Sequence, residues 1–155
     1  MSRAGQGRIA ALVPAAGLSS RMEGGFKPLM PLSGSTVLGC VTRALRLAGV
    51  EDIVAVAGHN ALEVHAEAAR LLIGCVVNRE YERGMFSSIL TGIEALPGGI
   101  DAVFVLPVDI PLVRPRTLRA LGECLGDAPV LYPSFRGERG HPPLIAAACL
   151  PFIKA

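Results

Sequence analysis

The stretch "LVPAAGLSSRMEGGFKPLMPL", from Leu12 to Leu32, holds the densest set of residues suited to chemistry. After Pro14 come Ala15, Ala16 and Gly17, whose side chains are small or absent, so backbone N–H groups there can approach a ligand closely. Ser19 and Ser20 add hydroxyl donors, and Arg21 and Lys27 add positive charge. Amides, hydroxyls and cations converging on one loop suit an anion such as a polyphosphate. Lys27 is also unusual by type, because only it and Lys154 are lysines among 15 basic residues. A compact ammonium in a chain that otherwise uses arginine points to a task a guanidinium does less well. No Gly-Lys-Ser/Thr closes the loop as in a Walker A motif, and no GxGxxG dinucleotide fingerprint is present. Composition alone leaves two readings of the loop, an anion cradle and a surface loop with incidental charge.

Asp109, in "VLPVDIPLV", is the second candidate. A lone carboxylate just past an apolar strand suits Mg²⁺, which takes one or two protein carboxylates and fills its shell with water and phosphate oxygens. The plain alternative is a turn aspartate beside Pro111. His59 reads as a loop histidine and His65 as a helix-surface residue, with nothing around either that calls for a metal.

The elements that must position these residues follow from hydrophobic patterning. Ile9 to Val13 is an apolar run typical of a strand buried on both faces. Ser35 or Thr36 can cap a helix from about Val37 to Ala48, ended by Gly49. Ile53 to Ala57 reads as a second strand, followed by a helix through about Leu72 and a short strand from Cys75 to Val77. In "MFSSILTGIEAL", Phe86, Ile89, Ile93 and Leu96 fall at helical spacing. "DAVFVLPVDIPLV" reads as a fourth strand ending at the aspartate, and Pro115 suits the first turn of a helix to about Leu125. "PVLYPSF" and "HPPLIAA" read as two strands joined by the turn "RGERG". Strands alternating with helices predict a Rossmann-like three-layer α/β/α sandwich, with a mostly parallel sheet and a late antiparallel element. Ligands in such folds gather beyond the carboxyl ends of the strands, where both the loop and Asp109 fall.

Bulk properties narrow the function classes. With 155 residues the chain is one domain's worth, and a net charge of +2 with no basic block argues against nucleic-acid or membrane surfaces as partners. Cys40, Cys75, Cys124 and Cys149 are scattered with no CxxC, which reads as reduced, mostly buried thiols of a cytoplasmic protein. Mean hydropathy is +0.48, and the apolar stretch "LIAAACLPFIKA" predicts a face that packs against further chain or a partner.

Four motifs then resemble a known family. "PAAGLSSRM" with Lys27 is similar to the A-A/G-G-x-S/G-x-R-M…K signature of the MobA-like nucleotidyltransferases. "NREYERGMFSSILTGIEAL", "PVDIPLV" and "RGERGHPPLI" resemble, in family order, stretches of its molybdenum cofactor cytidylyltransferase branch. The resemblance implies Mg²⁺-dependent transfer of a nucleoside monophosphate from a triphosphate, CTP rather than GTP, to a phosphorylated acceptor such as molybdopterin, with release of pyrophosphate. It implies that Pro14, Ala15, Ala16, Gly17 and Ser19 hold the nucleotide. Arg21 would bind the leaving pyrophosphate, Lys27 would reach the α-phosphate and Asp109 would hold the metal. Gly58, Asn78 and Ser88 would lie near the nucleotide, and Tyr81 and Met85 in the loop beside its base. Gly140, His141 and Pro142 would shape the acceptor side. It also implies one domain over residues 1–155 with further chain beyond the last strand. A guanylyltransferase and a sugar- or isoprenoid-phosphate cytidylyltransferase remain alternatives within the superfamily. A nucleotide-binding module without turnover remains an alternative of another class.

Overall fold

A computed structural model describes residues 7–17 and 25–155. The chain runs β1 (Ile9–Pro14), β2 (Pro31–Leu32), β3 (Ser35–Thr36), α1 (Val37–Leu47), β4 (Asp52–Ala57), α2 (Ala61–Arg70) and β5 (Gly74–Val77). It continues through α3 (Met85–Glu94), β6 (Ala102–Val105), α4 (Pro115–Glu123), β7 (Val130–Leu131), β8 (Ser134–Phe135), β9 (Glu138–Arg139), β10 (Leu144–Ala146) and α5 (Leu150–Lys154). Six strands form one sheet in the order β5-β4-β1-β6-β10-β7. β1 pairs in parallel with both β4 and β6, β4 pairs in parallel with β5, and β10 is antiparallel to β6 and β7. This is the expected three-layer α/β/α sandwich with its late antiparallel strand.

Strand alternation divides the core. Ala11 and Val13 of β1 face one layer, where α1, α2 and α4 contribute Leu38, Val41, Leu45, Val64 and Leu118. Ala10 and Leu12 face the other, against Ile89 and Ile93 of α3 and Leu150 and Ile153 of α5. Leu12, Phe104 and Leu118 are fully buried, and truncating such a side chain to alanine costs about 2–5 kcal/mol. α1 takes Thr36 rather than Ser35 as its N-cap, the hydroxyl accepting the Gly39 N–H at 2.9 Å and donating to Glu67 of α2. Glu67 is also bonded by the Arg70 guanidinium, which holds its carboxyl below the usual range.

Several expectations need correction. β6 ends at Val105, four residues before Asp109, although Leu106 and Val108 still donate to the Leu12 and Pro14 carbonyls of β1. The chain thus stays extended without a second partner on its other side. "RGERG" is not a plain connection between two long strands. β7 and β10 pair inside the main sheet, while β8 and β9 form a separate hairpin turned by Arg136 and Gly137, both at positive φ. Phe86 is not a core residue of α3, being 59% exposed. The cysteines are unpaired, but only Cys40 is buried and Cys124 is exposed at the end of α4. Burial pushes the Cys75 thiol up from its usual range. Among the described residues no helix is long and apolar enough to cross a membrane.

Candidate active site

Beyond the carboxyl ends of β1 and β6 lies a cleft of about 370 Å³. Pro14, Ala15, Ala16 and Gly17 form one wall, Lys27 and Pro28 a second, Tyr81, Gly84, Met85 and Ser88 a third, and Pro107, Val108 and Asp109 the last.

The turn after β1 is partly committed to the fold. Ala15 N–H donates to the Val56 carbonyl at 2.9 Å, and the Ala16 carbonyl accepts the His59 N–H at 3.4 Å. The Ala16 and Gly17 N–H groups pair with no other described residue, so they are the backbone donors this turn offers to a ligand. A Cβ on Gly17 would meet nothing within 4 Å, and no positive φ is needed there, so no described part of the chain requires glycine at that position. The turn therefore leaves open space beside Gly17 at the cleft.

Asp109 is presented by a tight turn in which Ile110 N–H donates to the Pro107 carbonyl at 3.1 Å. Because Val108 is bonded to Pro14, this turn is held beside the one after β1. Lys27 opens a short 3₁₀ turn, Lys27–Leu29, anchored to α1 through the Val37 N–H to Met30 carbonyl bond. Its Nζ lies 2.9 Å from Asp109 Oδ1, with the side chains 35% and 58% exposed. The pair is therefore at the cleft mouth, in contact with water, where an ion pair contributes little stability and can open at small cost.

The third wall is set by Asn78, which is buried behind it. Asn78 Nδ2 donates to the hydroxyls of Ser87 and Ser88 at 2.8 and 3.0 Å, and its Oδ1 accepts the Glu80 N–H at 2.9 Å. Ser87 Oγ in turn donates to the Gly84 carbonyl at 2.7 Å. This network fixes the start of α3 at the cleft, and Gly84, at φ +96°, makes the sharp entry that a larger residue would strain. The positive end of the α3 dipole thus faces the cleft.

Of the residues singled out in the sequence, Pro14, Ala15, Ala16, Gly17, Lys27, Ser88 and Asp109 come together in this cleft. Ser19 and Arg21 lie outside the described residues. Asn78 and Gly58 stand behind the walls rather than in them. A Cβ on Gly58 would come within 2.6 Å of Tyr81 Cβ and 2.7 Å of Ala16 Cβ, so this glycine lets two walls close on each other. His141 is exposed, and Gly140 is bonded to Pro133 at 2.7 Å; neither they nor Pro142 line the cleft. Pro28, Gly84, Pro107 and Val108 line it with no signal in their residue types, apart from the turn tendency of Gly84. Tyr81 also lines it, beside His59, which sits between the Tyr81 and Phe26 rings at 6.3 and 6.2 Å.

Among the described residues no three His, Cys, Asp or Glu side chains group to hold a metal ion. The carboxylate that the cleft does present is Asp109 at its mouth, an oxygen donor of the kind hard divalent cations take.

A doubly covered α/β sheet with a small-residue turn, a cation and a carboxylate at its carboxyl edge places these groups where ligands of such folds gather. The MobA-like NTP transferase domain matches residues 11–155, and the chain belongs to that family. It is 36% identical over 128 residues to the bifunctional IPC transferase and DIPP synthase of Rubrobacter xylanophilus, a match covering 79% of this chain and 28% of that protein. A nucleotidyl transferase from Methanothermobacter thermautotrophicus superposes with a TM-score of 0.82 at 32% identity, over 94% of this chain and 74% of that one. Rv0371c of Mycobacterium tuberculosis, solved in complex with manganese, shares the fold with a TM-score of 0.79 at 23% identity, over 95% and 75% of the two chains.

Proposed function

We propose that this domain transfers CMP from CTP to a phosphorylated acceptor, molybdopterin, and releases pyrophosphate. The observation that carries the reading is the Lys27–Asp109 pair at the mouth of the same cleft that the Pro14–Gly17 turn lines. In the step, an acceptor phosphate oxygen forms a bond to the α-phosphorus and the bond from that phosphorus to the β-phosphate oxygen breaks. The electron pair leaves with pyrophosphate, so negative charge builds on the α-phosphoryl oxygens and on the leaving group. The acceptor phosphate is already an anion, and no protein base is required. Catalysis is therefore positioning and charge stabilisation.

The Ala16 and Gly17 amides and the start of α3 bind the nucleotide. Lys27 leaves Asp109 to neutralise the α-phosphate, and Arg21 takes the pyrophosphate. Asp109 would hold Mg²⁺, which supplies Lewis-acid polarisation of the phosphoryl oxygens when bound. The manganese complex of the Mycobacterium protein supports a divalent cation in this fold. The CTP assignment rests on the Ala15-Ala16-Gly17 form of the loop after β1, and the molybdopterin assignment on the "GMFSS" and "RGERGHPPLI" motifs. The similarity to the Rubrobacter transferase favours a second reading, in which the acceptor is of the kind used by that protein.

Calorimetric titration of CTP and GTP, each with and without Mg²⁺, tests the proposal. Mg²⁺-dependent binding of CTP in preference to GTP is expected. A GTP preference overturns the base assignment, and no binding of either overturns the reading of the cleft.

A further inference from the structure

His59 does not line the cleft, yet it touches the chain behind three of the cleft's walls. Its backbone N–H donates to the Ala16 carbonyl at 3.4 Å, in the turn after β1. Its imidazole meets the Phe26 ring with centres 6.2 Å apart and planes at 67°. It meets the Tyr81 ring at 6.3 Å and 54°. Both separations lie in the range of attractive ring pairs, and the side chain is partly buried between them.

Each contact reaches a different part of the site. Phe26 directly precedes Lys27, and its carbonyl accepts the Leu29 N–H at 3.0 Å, closing the 3₁₀ turn that carries the lysine. Tyr81 begins a second 3₁₀ turn, Tyr81–Arg83, that leads through Gly84 into α3. Gly58 lets Ala16 and Tyr81 approach each other, and Asn60, at φ 53°, turns the chain into α2. α2 in turn contacts the Lys27–Leu29 turn. The segment 58–60 is thus fixed on both sides, and the ring of His59 stands between the lysine turn and the tyrosine wall.

We propose that His59 is a positioning residue for nucleotide binding: its ring spaces the Lys27 turn from the Tyr81 wall and so sets where the ammonium meets the phosphates. This role rests on the nucleotidyl-transfer reading of the cleft, which gives Lys27 its phosphate. In a close-packed structure a ring between two elements acts as a spacer, and its removal lets them shift. A misplacement of about 1 Å at a catalytic group can cost on the order of 10²-fold in rate. The contacts are ring to ring, so phenylalanine can replace the histidine and glutamine cannot.

Two measurements test the role. Lys27 and Lys154 are the only lysines, and Lys154 is exposed on α5, so trace acetylation read by mass spectrometry scores Lys27 against an internal reference. In His59→Ala the Lys27 to Lys154 labelling ratio is expected to rise about two- to threefold, as the exposed pair with Asp109 opens. His59→Phe is expected to keep the wild-type ratio and His59→Gln to match alanine. An unchanged or lower ratio in His59→Ala overturns the proposal, and so does rescue by glutamine in place of phenylalanine. If His59→Ala does not fold, His59→Gln replaces it in both measurements.

The second measurement is titration of CTP with Mg²⁺. His59→Ala is expected to weaken CTP roughly tenfold, as loss of the Lys27 contact would. In the K27M background the same substitution is expected to cost much less, because its route to the phosphate is gone. Equal losses in the two backgrounds overturn the proposal, since they are what a merely structural histidine gives. If the wild-type chain binds no CTP, the cleft reading fails, and the labelling ratio alone decides whether His59 holds Lys27.

Discussion

The carboxyl edge of the sheet has two halves built in different ways. On the β1 side, the turn after β1 and the Asp109 turn are tied to the sheet by the Ala15–Val56 and Val108–Pro14 bonds, and the α3 start is tied to Asn78. On the β10 side, two-residue strands carry an exposed hairpin whose arginines lie 5.1 and 5.2 Å from the centres of neighbouring aromatic rings. Backbone ties suit a ligand part that is always the same, the phosphates and ribose of a nucleotide. Side chains on a short exposed hairpin can change without disturbing the core.

The sharpest test of this contrast is Asp109→Asn. Turnover is expected to fall on the order of 10²–10³-fold, with nucleotide binding partly retained. Steady-state rates alongside a CTP titration check it, and unchanged turnover would remove Asp109 from the chemistry.

Lys27→Met separates the partners of the ion pair. Nucleotide affinity is expected to drop roughly tenfold, the effect of losing one charge-assisted contact. Mn²⁺ affinity without nucleotide is expected to rise a few-fold, because Asp109 no longer faces an ammonium. Water-proton relaxation of Mn²⁺ reads the second effect, and an unchanged Mn²⁺ affinity would rule out competition at Asp109.

Gly58→Ala is expected to weaken CTP by several-fold without touching the hairpin, since its methyl would sit 2.6–2.8 Å from Tyr81 and Ala16 atoms and push two cleft walls apart. Calorimetry with CTP measures it, and an unchanged affinity would separate the packing at Gly58 from the cleft.

The smallest effects concern the frame. Thr36→Ala removes the α1 cap and is expected to cost about 1 kcal/mol in denaturant unfolding. The Arg70 and Thr36 bonds to Glu67 favour its charged form and hold its pKa below the unfolded value. Their contribution is therefore present above the unfolded pKa and is lost as pH falls through the folded one. Glu67→Gln is expected to flatten the stability-against-pH curve in that acid range, with little change in nucleotide binding at neutral pH.

The cleft was partly legible along the chain. Ala15, Ala16, Gly17, Lys27 and Asp109 are chemically distinct from their surroundings, and a strand end followed by small residues is a local pattern. Asn78 was visible as a residue of interest but not as a brace. Its partners Ser87 and Ser88 lie nine and ten residues away, and only the fold of the intervening turn shows that its amide is already spent. Phe86 fitted the apolar spacing of α3 and yet faces outward, because periodicity marks a face without saying which residues at its border find a neighbour.

By itself the sequence determined the alternation of strands and helices, the two-sided burial of the central strands, and the chemical kinds of group beyond their ends. These depend on near-neighbour patterning, which the chain carries wherever it folds. Tertiary structure decided that Lys27 meets Asp109, that Gly58 joins Ala16 to Tyr81, and that the late strands enter the sheet while a separate hairpin rises from its carboxyl edge. Those facts depend on strand order and register, which bring residues distant in sequence into contact.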